Sequence, residues 1–215
     1  MLAVLPFENL TGDAGQDYFS DGLTEEMITQ IGRRDPRHLG VIARSSVLRY
    51  KHDGQELEQL GRDLGVQYVL EGSVRRDSDR VRIAAQLVQV KDQSQLWARE
   101  YDRELRSLLT VQGEIAQEVA DEIQRTLGGK ITDAAHHPPE SPTSYEAYEL
   151  YLKGRYFWGK RTEAELTKAI DYFNQAIAKD PTYAPAYSGL ADCFDLLHFY
   201  GGYSPQQLIP KARGR

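Results

Sequence analysis

The chain has 215 residues, 40% hydrophobic and 27% charged, a balance that fits a folded globular protein and excludes a disordered tail. Its 26 Lys and Arg against 32 Asp and Glu leave a formal charge of -6, opposite in sign to that of a uniform nucleic-acid binder. One cysteine, Cys193, excludes an internal disulfide and a cysteine-based zinc cluster; no apolar run approaches the roughly 20 residues that cross a bilayer, and Met1-Leu2-Ala3-Val4-Leu5 is too short and lacks the basic flank of a signal peptide.

In chain order, Leu2 to Phe7 reads as a buried strand, and Asp17 to Arg33 as a helix that buries Phe19, Leu23, Met27 and Ile31 at four-residue spacing and stops at Pro36. His38 to Ala43 reads as a second strand. A helix with Leu57, Leu60 and Leu64 on one face follows, and Gly65 can end it in the left-handed conformation. Val66 to Arg76 and Arg80 to Val90 alternate apolar and polar around the turn residues Asp77-Ser78-Asp79, the pattern of an antiparallel hairpin. Gln95 to Tyr101 makes a fifth strand, and Leu108, Val111, Ile115, Val119 and Ile123 form the stripe of a closing helix. The predicted order is β-α-β-α-β-β-β-α, an α/β domain over 1–129 with helices covering a mixed sheet. A proline-rich linker, 130–143, carries Pro138, Pro139 and Pro142.

The remainder, 144–215, reads as all helical. Ala169, Phe173, Ala176 and Pro181, then Tyr187, Leu190, Ala191 and Phe194, have the spacing of tetratricopeptide repeats, in which small residues let antiparallel helices approach and proline ends the second helix. Leu150, Gly154 and Phe157 supply an earlier helix, with an extended turn expected around Trp158 to Thr162. About one and a half repeats are present. Ser204-Pro205 and Pro210 begin a further helix, and the array is expected to continue in a longer parent or to be covered by a second copy of the chain.

The blocks VLPFENLTGD (4–13), DYFSDGLTEEMI (17–28), VIARSSVLRYK (41–51), LGVQYVLEGSVRR (64–76), VRIAAQLVQVKD (81–92), LWAREYDREL (96–105) and GEIAQEVADEI (113–123) together closely resemble the TolB amino-terminal-like domain, related to the FlgO family. Bacterial regulators carry that domain directly before tetratricopeptide repeats. The resemblance implies a parent with a winged-helix, serine/threonine kinase or nucleotide cyclase domain, often with a membrane span between, and Met1 is then an internal position of it. The expected role is a non-catalytic protein- or peptide-binding module in signalling or transcription regulation. An accessory piece of a cyclase or kinase is the alternative, and a nucleic-acid-binding α/β domain the second.

No phosphate loop, G-x-S-x-G elbow, H-E-x-x-H or Cys-His pair occurs, so the expectation is neither an enzyme nor a cofactor carrier. His136-His137 in the linker reads as solvated chain, and Asp13, Asp17, Asp21, Glu25 and Glu26 as carboxylates favoured at a helix start, so no metal is expected. Arg75, Arg76, Arg80 and Arg82 gather at the hairpin, with Arg99 and Arg103 nearby, as a candidate basic patch that would face protein in preference to nucleic acid. The favoured site is the concave repeat surface: Tyr148, Tyr151, Arg155 and Trp158, then Ser188, Asp192 and Asp195, with aromatics and arginine as interface anchors. The partner expected there is a protein or peptide. No small-molecule substrate or membrane contact is indicated, and a single thiol fits the cytoplasm or the periplasmic side of an anchored bacterial parent equally.

Overall fold

The apolar start of the chain does not form one strand. Leu2–Val4 forms β1 and Glu8–Asn9 forms β2, separated at Pro6, which has no N–H to give to a ladder. Both run parallel to β3 (Tyr68–Asp77), with Leu2 opposite Tyr68 and Glu8 opposite Ser73. The Phe7 N–H donates to Thr24 Oγ1 at 2.9 Å, which fixes the break against α1 (Asp17–Arg34). The computed structural model describes residues 1–34, 39–47, 50, 57–126 and 144–200. The expected linker over 130–143 with His136-His137, the stop at Pro36 and the helix beginning at Ser204-Pro205 lie outside these residues.

Of the strand expected over His38 to Ala43, the described residues 39–43 make a single parallel bridge, Leu2 with Val41, held by Leu2 N to Gly40 O and Ile42 N to Leu2 O at 2.9 Å each. β1 offers a ladder of only three residues, and the chain leaves it at Ala43 to form the short helix α2 (Arg44–Val47). α3 (Leu57–Leu64) follows and ends at Gly65, whose φ of 64° is the left-handed value that glycine adopts at little steric cost.

β4 (Arg80–Gln89) and β5 (Gln95–Glu104) complete a mixed sheet in the order β1-β3-β4-β5, with β2 also beside β3. Asp77 faces Arg80 across a two-residue turn in which Ser78 has φ 52°. Period-two alternation puts Val81, Ile83, Ala85 and Leu87 on one face, which α4 (Leu108–Thr126) packs against, itself packed on α1. Phe19, Leu23, Met27 and Ile31 of α1 are each at most 2% exposed, as their four-residue spacing requires. On the other face, Ala3, Val47, Leu60, Val66, Val69 and Val90 form a second cluster beneath α2 and α3. The rest of that face is an open concavity of about 610 Å³ lined by Glu8, Glu71, Ser73, Ala84, Gln86 and Glu100.

The chain divides into two compact units, Met1–Pro139 and Glu140–Arg215. The second holds α5 (Tyr145–Gly159), α6 (Glu163–Lys179) and α7 (Ala184–Tyr200), packed on one another. Ser144 and Thr162 cap the first two by accepting from the N–H groups of Glu146 and Glu165. α5 runs two residues further than expected: Trp158 and Gly159 belong to the helix, and only 160–162 connect it to α6. The Phe173 ring fills the space between Gly154 and Gly189, where a methyl on either glycine would come within 2.5 Å of it. Among the described residues no helix is long and apolar enough to cross a membrane.

Candidate functional site

The hairpin arginines do not converge on one patch. Alternation sends Arg75 and Arg82, directly opposite in the ladder, to one face and Arg76 to the other. Arg76 donates to Tyr18 Oη at 3.1 Å and lies 5.8 Å from the Phe19 ring centroid. Arg80 and Arg82 both bond Asp102 on β5, and Arg82 also pairs with Glu100 at 3.1 Å. The Arg80 and Arg82 hydrogen bonds hold the Asp102 carboxyl below its ordinary range. Arg99 pairs with Glu118 at 3.0 Å, and Arg103 donates to the Asp102 carbonyl. The expected basic patch is corrected: Arg76 lies on the opposite face from Arg75 and Arg82, β5 brings Asp102 and Glu100 beside Arg80 and Arg82, and α4 brings Glu118 beside Arg99.

The carboxylates at the start of α1 are also spent locally. Asp13 accepts from Gly15 N at 2.8 Å, Asp17 accepts from Asn9 Nδ2 at 2.8 Å, and Asp21 pairs with Arg44 at 3.4 Å.

In the helical unit, Tyr148 and Tyr151 are corrected from groove residues to core residues. They are 0% and 7% exposed, and Tyr151 lies edge-on to Tyr183 at 5.4 Å and tilted against Phe173 at 5.9 Å. The reason is helical phase: with Ala147, Leu152 and Gly154 they form the side of α5 that meets α6 and the start of α7. The next turn of α5 is different. Arg155 reaches across to Asp192 of α7, with Nη1 to Oδ2 at 3.2 Å, and its guanidinium lies 4.2 Å from the Trp158 ring centroid. Asp192 is 43% exposed at its side chain, while Ser188 and Asp195 are exposed on the same helix at four- and three-residue spacing. Arg155, Trp158 and Asp192 are thus brought together; Ser188 and Asp195 flank them.

Arg161 joins this cluster and was not expected from the sequence. It follows the C-cap of α5 with φ 56°, uncommon for a side-chain-bearing residue, and its guanidinium lies 3.7 Å from the same Trp158 centroid. The readable signal is the run Arg155-Tyr156-Phe157-Trp158-Gly159-Lys160-Arg161, which interleaves three cations with three aromatics. Lys160 is the third cation, paired with Glu165 at 3.5 Å, and Lys168 takes the same carboxylate at 2.8 Å. The bond from Lys168, helped by Lys160, holds Glu165 below its usual range. Cys193 is fully buried beside Asp192; burial, with Asp192 adding, pushes its thiol up to about 12, with Arg155 and Arg161 offsetting part of the effect. Such a thiol packs as a small apolar group and is a poor nucleophile.

Among solved structures, the chain is similar to lipoprotein GNA1162 from Neisseria meningitidis, 15% identical over 61% of this chain and 98% of that one with a TM-score of 0.38. It is also similar to TolB from Acinetobacter baumannii, 20% identical over 59% of this chain and 27% of that one with a TM-score of 0.36. In sequence the chain is 35% identical over 211 residues to the Rhizobium meliloti (strain 1021) protein named "Putative adenylate cyclase 3". That match takes in 96% of this chain and 35% of the relative, so the chain spans about a third of the curated relative it matches. Residues 1–118, more than half of the chain, match the family described as HilA/YgeH-like transcriptional regulator, second domain, and the chain belongs to that family.

Proposed function

We propose that this chain is a non-catalytic regulatory segment of a bacterial signalling or transcription-regulatory protein, and that it works by binding a protein or peptide. The observation that carries the reading is the family itself: a second domain of a transcriptional regulator acts beside another domain of the same protein. The helical unit is read as a tetratricopeptide-type hairpin followed by the first helix of the next repeat. Its support is the Phe173 ring seated between Gly154 and Gly189, with Ala169 and Ala176 buried on the same helix, a repeat device that leaves one face of the first helices for a partner. On that face Arg155, Trp158 and Asp192 are the contacts of the partner. The test is capture of a partner by the whole chain compared with R155E/W158A, alongside incubation with ATP and magnesium. Partner capture lost in the variant, with no nucleotide turnover, supports the reading; turnover by the chain alone overturns its non-catalytic part.

The relative named as a cyclase favours a second reading, an accessory segment of a nucleotide cyclase, because the match extends over both units. In that case adding this chain in trans alters the rate of a separately prepared catalytic domain of that relative. An unchanged rate leaves the first reading in place.

A further inference from the structure

Donors and acceptors do not balance at the end of α5. Trp158 and Arg161 bring an indole N–H and a guanidinium fork to one spot, and Arg155 adds a second guanidinium. The acceptor beside them is Asp192, and Arg155 holds it. Among the described residues Arg161 pairs with no carboxylate, and its guanidinium lies over the indole. Trp158 Nε1 is enclosed and has no acceptor among the described residues, and an enclosed donor without an acceptor is costly unless an acceptor arrives. A cation near a helix C-terminus can serve merely to face the helix dipole. Arg161 is stacked on a ring, however, so its in-plane donors remain available to a ligand.

We propose that the Arg161–Trp158 pair, with Arg155 beside it, receives a carboxylate from an acidic segment of the partner protein. This rests on the peptide-binding reading above and names the partner's chemistry. The carboxylate takes the in-plane Arg161 fork in two parallel hydrogen bonds while the guanidinium stays over the ring, and the indole N–H beside it gains its acceptor. Charge favours one carboxylate over a nucleic-acid backbone: the Arg161 fork suits a single planar anion, whereas a row of phosphates needs several cations in line and here meets Asp192, which Arg155 already holds.

The test uses the full chain, a short labelled peptide of alternating glutamate and alanine, its glutamine counterpart, its lysine counterpart and a single-stranded oligonucleotide. Binding is followed by anisotropy and by the two indole N–H signals in nitrogen-15 NMR. Trp97 Nε1 already donates to Glu118 at 2.9 Å and serves as the internal control. The glutamate peptide should bind, move the Trp158 signal downfield and leave that of Trp97 in place. R161E should weaken it roughly tenfold or more, and R161K less, with unchanged circular dichroism, since Arg161 lies in the connection after α5 and its side chain pairs with no carboxylate among the described residues. Loss of the glutamate peptide's advantage over the glutamine one, an unmoved Trp158 signal, indifference to R161E, or preference for the oligonucleotide would each overturn the proposal. If the glutamine or lysine peptide binds instead and W158A abolishes it, the acidic-partner inference falls while the peptide-binding reading stands.

Discussion

Glu118 of α4 shows how much one side chain organises. Trp97 Nε1 donates to it at 2.9 Å and Arg99 pairs with it, Nε lying 3.0 Å away; both stand on the face of β5 that looks toward α4, so one carboxylate ties the sheet's edge strand to the closing helix. Tyr101 shares that face, and burial, with Glu118 adding, raises its phenol to about 12. The fold therefore favours the neutral phenol, while the unfolded chain ionises it from about pH 10. The resulting stability is complete below about pH 10 and is lost as pH rises toward 12. Urea midpoints measured from neutral to strongly alkaline pH should fall more steeply for the native chain than for Tyr101→Phe. Parallel curves would mean that Tyr101 does not feel this burial.

At the scale of elements, Phe173 is the wedge that spaces three helices. Gly154→Ala or Gly189→Ala gains up to about 1 kcal/mol of helix propensity, but either methyl would stand 2.5 Å from the Phe173 ring. Overpacking of that kind costs about 1–3 kcal/mol, so both variants should be net destabilised. Gly113→Ala in α4, where an added methyl meets nothing within 4 Å, should be stabilised by up to about 1 kcal/mol. Thermal melts of the three variants check this, and equal behaviour would refute the wedge. An i, i+4 stripe or an alternating hairpin is written in local order, and α1, β3, β4 and α4 fall where their patterns put them. The lost strand near Val41 and the split at Pro6 were hidden, because they depend on how much free ladder another segment offers. Likewise the repeat spacing pointed to Arg155, Trp158 and Asp192, but it gave Tyr148 and Tyr151 to the surface. Their turn of α5 faces the aromatic core, and the spacing of first-helix positions does not reveal where Tyr183 folds back against them.

At the scale of the whole molecule, each unit has a core of its own, and the two cores differ in kind. The α/β unit encloses both a sheet–helix layer around Ile83, Leu87, Ile115 and Val119 and a second cluster around Ala3, Val69 and Leu60, so its sheet is buttressed on two faces. The helical unit relies on one layer of aromatics and small residues, and leaves Phe199 77% and Tyr200 50% exposed at the end of α7. A core in fewer than about 70–80 residues rarely supplies more than about 3–5 kcal/mol, and a helical repeat gains much of its stability from its neighbours. A fragment of 1–129 should therefore melt cooperatively, with a transition close to the main one of the full chain. A fragment of 144–215 should show a broad, low transition and reduced helical ellipticity, sharpened by a partner that covers its exposed face. Calorimetry of the two fragments beside the full chain decides the matter: a sharp, independent transition from 144–215 at or above that of 1–129 would show that these three helices need no neighbour, and would remove the thermodynamic reason for a partner to bind there.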